Sequence, residues 1–141
     1  QINRSVAAFD PVDSYTYNTA AYRLINANDA NKVQVFCGLA GRSNINLQLN
    51  HAFSTSSGAH CKIAIGEDST TAFETTGCSP GHGLNAAGVY LQRSSFLSKQ
   101  APLGYHYYAG LEYAGGATTT WQGDSGGPTL RRNGMVGTWQ S

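Results

Sequence analysis

Charge is scarce in this chain, and what there is comes balanced. Only 12% of its 141 residues are charged, nine basic against eight acidic, and no run of like charges occurs. That excludes the electrostatic footprint of a nucleic-acid binder. Long apolar runs are missing too. No segment is apolar enough and long enough to cross a membrane as a helix, so no membrane insertion is expected. Cysteine is limited to Cys37, Cys61 and Cys78. An odd count in a chain of this length does not describe a disulfide framework. One bridge with a spare thiol stays open; three buried thiols is the expectation. No window sustains a 3.6-residue period, which argues against helices. No signal peptide is visible, and the sequence opens at Gln1 rather than Met, so a processed or excised piece of a larger protein is expected.

Small polar residues fill the space that charge leaves. Gly, Ser, Thr, Asn and Gln dominate, and these favour turns and pleated faces over helices. The length suits one domain, and a chain of this size buries roughly 68–70% of its unfolded surface. Period-2 patterns are the main local signal. Residues 44–50 alternate without a fault, with Ile45, Leu47 and Leu49 on one face and Asn44, Asn46, Gln48 and Asn50 on the other. Residues 32–37 and 61–65 read the same way. Residues 103–113 place Leu103, Tyr105, Tyr107, Ala109, Leu111 and Tyr113 on a generous inner face, with His106, Tyr108 and Glu112 opposite. Residues 86–93 and 130–138 are weaker strand candidates, and 15–17 with 21–24 reads as strand, kink, strand. Glycines and prolines punctuate between them at 41, 58, 66, 77–83, 115–116 and 123–128. The expected fold is all-β, an antiparallel β-sandwich of jelly-roll type spanning residues 14–141. Residues 1–13 lack pattern and read as an entry segment from a preceding domain.

Gly123-Asp124-Ser125-Gly126-Gly127-Pro128 raises a catalytic question. The hexapeptide resembles the nucleophile segment of trypsin-like serine proteases, and Gly58-Ala59-His60-Cys61 faintly resembles their histidine segment. Three features oppose a trypsin-like fragment with Ser125 as nucleophile. All-β folds of that scale run to about 200 residues or more, and only 16 residues follow Ser125. The next aspartate after His60 is Asp68, whereas the family places its acid far downstream. Gln1-Ile2-Asn3-Arg4 lacks the Ile-Val-Gly-Gly start whose amine meets the aspartate preceding the serine. A tight turn explains the same letters: glycines supply φ > 0, Asp124 and Ser125 bond their own backbone, and Pro128 starts an edge strand.

The C-terminal third carries a second resemblance. Residues 104–113 read GYHYYAGLEY, residues 115–124 read GGATTTWQGD, and residues 133–139 read NGMVGTW. Upstream stand Tyr15-Thr16-Tyr17, Ala21-Tyr22-Arg23, Asn26-Ala27-Asn28, and residues 65–72, IGEDSTTA. In this order they resemble the C-terminal β-domain of bacteriophage tail fibres, tailspikes and related virion appendages. Tyr22 and Gln122 stand where that family carries Trp and Tyr. The resemblance covers roughly residues 14–141, makes the GDSGGP position a variable turn and supplies no catalytic residue. It implies a homotrimer in a virion appendage, extracellular when functioning, that trimerises the appendage, attaches to a host-surface glycan or protein receptor, or both. A monomeric carbohydrate-binding module is the remaining alternative.

Trimerisation would bury one face of each subunit, so a strand apolar on both sides is expected, 103–113 being the candidate. Receptor-binding candidates are the amide row Asn44, Asn46, Gln48 and Asn50, with His106, Tyr108, Glu112 and Trp121. Competing readings are a solvated face for the amides, a hydrogen-bonded core or interface histidine for His106, and packing for Trp121 and Trp139. Glu67 and Asp68 are adjacent, so on a strand they point to opposite faces and do not form a glycosidase pair, and in a loop they cap a turn. Cys78-x-x-x-His82 and His60-Cys61 match no usual zinc spacing. No catalytic residue, metal or cofactor is expected.

Overall fold

The computed structural model describes residues 3–38, 44–124 and 133–140. They form twelve strands: β1 (Asn3–Phe9), β2 (Ser14–Tyr17), β3 (Tyr22–Leu24), β4 (Lys32–Cys37), β5 (Asn44–Thr55), β6 (Ala59–Glu67), β7 (Cys78–Ser79), β8 (Gly81–Asn85), β9 (Leu91–Gln100), β10 (Gly104–Tyr113), β11 (Thr119–Gln122) and β12 (Gly134–Gln140). All pairings are antiparallel. The expected all-β sandwich is what the chain forms.

Two long strands organise the two sheets. In the seven-stranded sheet, β9 runs along one edge of β5, with β7 beyond it. The other edge is shared: β12 takes residues 45–50 and β11 takes residues 52–55. β1 extends β12, and β2 extends β11. In the five-stranded sheet β10 plays the same part, with β4 and then β3 on one edge and β6 followed by β8 on the other. The main apolar cluster lies between the sheets. Ile45, Leu47, Leu49, Phe53, Leu97, Trp121 and Met135 come from one side; Val33, Val35, Cys61, Ile63, Ile65 and Tyr108 come from the other. Fully burying each aliphatic side chain here contributes about 1.5–3 kcal/mol.

Period 2 locates β4 and the first half of β5 well, because one face of each meets the core and the other meets water. Four local readings change. Residues 3–9, read as patternless, pair with β12 over their whole length. Residues 86–90 are a turn rather than strand: Gly88 sits at φ +74, and its N–H reaches the Thr55 carbonyl at 2.8 Å. The glycines at 81 and 83 belong to β8. A Cβ on Gly81 would lie 2.3 Å from the Ser94 carbonyl oxygen, so the backbones can approach only without one. Residues 130–132 of the last strand candidate lie outside the described residues, and that strand begins at Gly134.

The largest correction concerns β10. Its Tyr108 and Glu112 face the opposite sheet, and both are fully buried. The face read as inner points outward. There Ala109 and Leu111 form a second cluster with Leu24 and Ala64, and Tyr22, Phe73 and Tyr107 pack against it. Tyr105 and Leu103, beyond that cover, stay exposed. The strand is therefore buried on both faces over residues 108–112, within one chain. Periodicity alone cannot say which face of such a strand is inside. We predict that Tyr108→Ala costs about 3–5 kcal/mol in urea unfolding, while Tyr105→Ala, compared with wild type at concentrations where both are monomeric, stays within about 0.5 kcal/mol; the opposite order would contradict this orientation.

Candidate functional site

Glu112 sits at the centre of a polar group inside the sandwich. It has no exposed surface. Tyr15 on β2 donates its hydroxyl to Oε2 at 2.5 Å, and Arg23 on β3 donates Nε–H to Oε1 at 2.7 Å. The Asn26 backbone N–H adds a third bond at 3.3 Å. Asn26 reaches it from a 3-10 turn with φ +53, a conformation asparagine tolerates better than most residues. Burial pushes the Glu112 carboxyl up to about 7, and the bonds from Tyr15, Arg23 and Asn26 hold it from rising further. Burial, then the Glu112 charge, raises the Tyr15 phenol. The Arg23 guanidinium also stacks on the Tyr17 ring, 3.9 Å from its centroid.

His51 completes the group. Burial lowers it to about 4, so it is neutral, with its Nδ1 facing the Ala52 carbonyl at 3.2 Å and Nε2 3.5 Å from the Tyr15 hydroxyl. Trp121 meets it edge-on at 5.4 Å and packs on Phe53 at 5.0 Å. An imidazole, a phenol and a carboxyl aligned this way resemble a proton relay. Glu112, His51 and Trp121 are sealed in the core, so what the arrangement does is tie β2 to β3 and β10 across the two sheets.

The other end of β10 is held by the turn after β6. Asp68, at φ +51, donates its backbone N–H to the Tyr107 carbonyl at 2.9 Å and accepts from the Tyr107 N–H at 3.0 Å through Oδ1. Its Oδ2 lies 2.6 Å from His106 Nδ1, and His106 Nε2 lies 3.1 Å from the Leu103 carbonyl. Both ring nitrogens thus face acceptors, which favours the imidazolium. The Asp68 hydrogen bond is the main reason His106 titrates above its ordinary value. Glu67, one residue earlier, accepts from the Tyr108 hydroxyl at 2.7 Å and from Lys99 Nζ at 2.6 Å. Lys99 belongs to β9, so this pair bridges the sheets as well; it also reaches Glu74 at 3.3 Å. Asp68 lies just past the end of β6, so strand alternation does not separate it from Glu67; it caps the turn, and both carboxylates bond side chains on one face of β10.

The eight receptor-binding candidates therefore separate. Tyr108, Glu112 and Trp121 are fully buried and unavailable to a receptor, a correction that follows from their polar tips being satisfied or enclosed inside. His106 is clasped by Asp68. Asn44 and Asn46 are exposed on the outer face of β5, with Gln48 and Asn50 half-buried beside them. Asn46 accepts from Ser98 Oγ at 2.7 Å, and Asn50 accepts from Ser94 Oγ at 2.6 Å and Gln48 Nε2 at 3.0 Å. Phe96 and Val136 flank Gln48 in register from the two neighbouring strands. They are 50% and 36% exposed, and a shallow groove of about 320 Å³ runs between them. Sequence reading missed Phe96; the available signal was its alternation with inward Ser95 and Leu97.

Ser125 lies outside the described residues. The start of its hexapeptide runs along residues 12–13: the Gly123 N–H donates to the Asp13 carbonyl at 3.1 Å and the Asp124 N–H to the Val12 carbonyl at 3.2 Å. His60 and His82 are exposed. Cys61 points inward to Thr119 Oγ1 at 3.4 Å while its neighbour His60 points outward. All three cysteines are free, Cys37 and Cys61 buried and Cys78 partly so. Among the described residues no three metal-ligating side chains gather. Compared with known proteins, the chain matches no family model and no curated sequence.

The buried ionisable groups make two checks. Arg23→Met, which leaves the Glu112 carboxyl without its cation, should cost about 3 kcal/mol, and Arg23→Met with Glu112→Gln should cost less than the sum of the singles. The pH dependence has a sign for each group. Glu112, raised from 4.5 to about 7, gives up stability as pH climbs through that interval. His106 contributes fully below 6.5 and loses its contribution as pH rises past its raised value. His51, lowered from 6.5 to about 4, works the other way, losing stability as pH falls across that range. Urea midpoints of Glu112→Gln, His106→Gln and His51→Gln, each taken relative to wild type from pH 4 to 8, separate the three.

Proposed function

We propose that the chain is a non-catalytic attachment domain of a virion appendage of the tail-fibre or tailspike kind, assembled as a homotrimer and touching a host-surface receptor. The observation that carries this reading is an apolar patch at one end of the five-stranded sheet. Phe36 on β4 and Tyr105 on β10 stand opposite each other, and Leu103 lies just before β10 begins. They are 63%, 58% and 60% exposed. Three large apolar side chains exposed near one another at that end support a surface that takes a partner. A second copy of the chain suits it, because the appendages this sequence resembles are trimers.

Two further features support the reading. The segments that carry the resemblance pair with one another: Arg23 with Glu112, Asp68 with His106, Glu67 with Tyr108. Their polar groups are spent on holding the sandwich together, which suits a durable extracellular domain. The amide and hydroxyl row on β5 and β9, with Phe96 at its centre, offers donors, acceptors and one ring face of the kind a saccharide uses.

Light scattering of the intact chain at several concentrations tests the assembly. A trimer mass is expected, falling to monomer in Phe36→Ser/Tyr105→Ser with the fold retained. A wild-type monomer would contradict the reading.

A further inference from the structure

We propose that the outer face of the five-stranded sheet binds an acidic oligosaccharide, its sugar ring against Tyr22 and Tyr113 and its anionic group at Lys62 and His82. The inference rests on the attachment reading and names the ligand class for the end of that same face away from the Phe36 and Tyr105 patch.

The register builds the site. Tyr22 on β3 opposes Tyr113 on β10, Tyr113 opposes Lys62 on β6, and Lys62 opposes His82 on β8. Directly opposed residues of antiparallel strands project from the same face, so these four side chains form one row across four strands. The next row, Leu24, Leu111 and Ala64, is buried beside Phe73. The cover stops there: Tyr22, Lys62 and Tyr113 are only half-buried, and His82 is exposed. His60, two residues before Lys62 and on its face of β6, is exposed as well.

Lys62 is the pivot. Its Nζ lies 4.9 Å from the Tyr113 ring centroid. Lys32 and Lys99 pair with Asp29, Glu67 and Glu74, but no carboxylate pairs with Lys62 among the described residues. Two shallow grooves share it. One of about 680 Å³ is lined by His60, Tyr113, Gly115 and Gly116, the other, about 400 Å³, by Tyr22, Phe73, Pro80 and His82. Gly115 keeps the first groove close to the sheet, since a Cβ there would lie 2.6 Å from the His60 carbonyl oxygen.

This chemistry selects its ligand. A pyranose presents a C–H face to a tyrosine ring, and two adjacent tyrosine rings stand on one side of the cation along the row. An ammonium with no carboxylate partner among the described residues, with His82 opposite it and His60 two residues along its own strand, attracts a carboxylate or phosphate. One lysine does not make a phosphate track, so a nucleic acid is disfavoured. Both grooves are open to solvent, which disfavours an apolar ligand that needs enclosure.

Amide NMR titration of the intact chain tests the site, with 3′-sialyllactose and an oligogalacturonate as carboxylate probes, mannose 6-phosphate as the phosphate probe, and lactose as the neutral control. At least one acidic probe should shift the amides of Lys62, His82, Gly115 and Gly116, and lactose should not. Lys62→Met should weaken that binding at least tenfold without changing the melting temperature, and Lys62→Arg should retain it. Equal shifts with lactose, shifts confined to Asn46, Gln48 and Phe96, no shift with any acidic probe, or tighter binding of a single-stranded DNA decamer would each overturn the inference. The trimer mass is read separately, so a trimer with no acidic-sugar binding sinks this inference and leaves the attachment reading standing.

Discussion

A carboxyl group with no exposed surface must be met by donors inside the chain, and Glu112 recruits them from three separate places. Tyr15, Arg23 and the Asn26 N–H converge on it from two strands and a turn. Those elements lie 86 to 97 residues away in sequence. Removing such an ion from water costs several kcal/mol, so the group holds together only if every donor arrives at once. It therefore acts on the register of β10 against β3 and on the distance between the sheets. Glu67 does the same at the far end of β10, joining Tyr108 to Lys99 of the facing sheet.

This explains which parts of the fold were legible in the sequence. β4 and the first half of β5 each have one face in water, and their alternation shows it. β10 is buried on both sides, so alternation survives but loses its sign. The tyrosines read as core lie partly outside, and Tyr108 and Glu112, read as surface, lie within. Polar tips misled because their partners, 41 to 97 residues away, leave no local trace. β1 escaped for another reason: as an edge strand its residues are mostly exposed, so no apolar face marks it. β8 is hidden by glycines that serve close packing against β9 rather than turns.

The candidate site divides along the same line. The amide row was readable because its alternation with Ile45, Leu47 and Leu49 fixes its direction. Phe96, Val136 and the row from Tyr22 to His82 became visible only through strand register, which joins residues that no spacing rule links. In the proposed attachment domain the polar residues of the recognisable segments are internal fasteners. In that proposal, recognition falls to less conspicuous side chains on the two outer faces.

The central claim is that Glu112 is sealed in the sandwich and held there by Tyr15, Arg23 and Asn26. A carboxyl-carbon NMR titration of the intact chain, with Glu112 assigned by its glutamine variant, measures this directly. The account predicts a midpoint raised to about 7, and a midpoint near the ordinary 4.5 would contradict it.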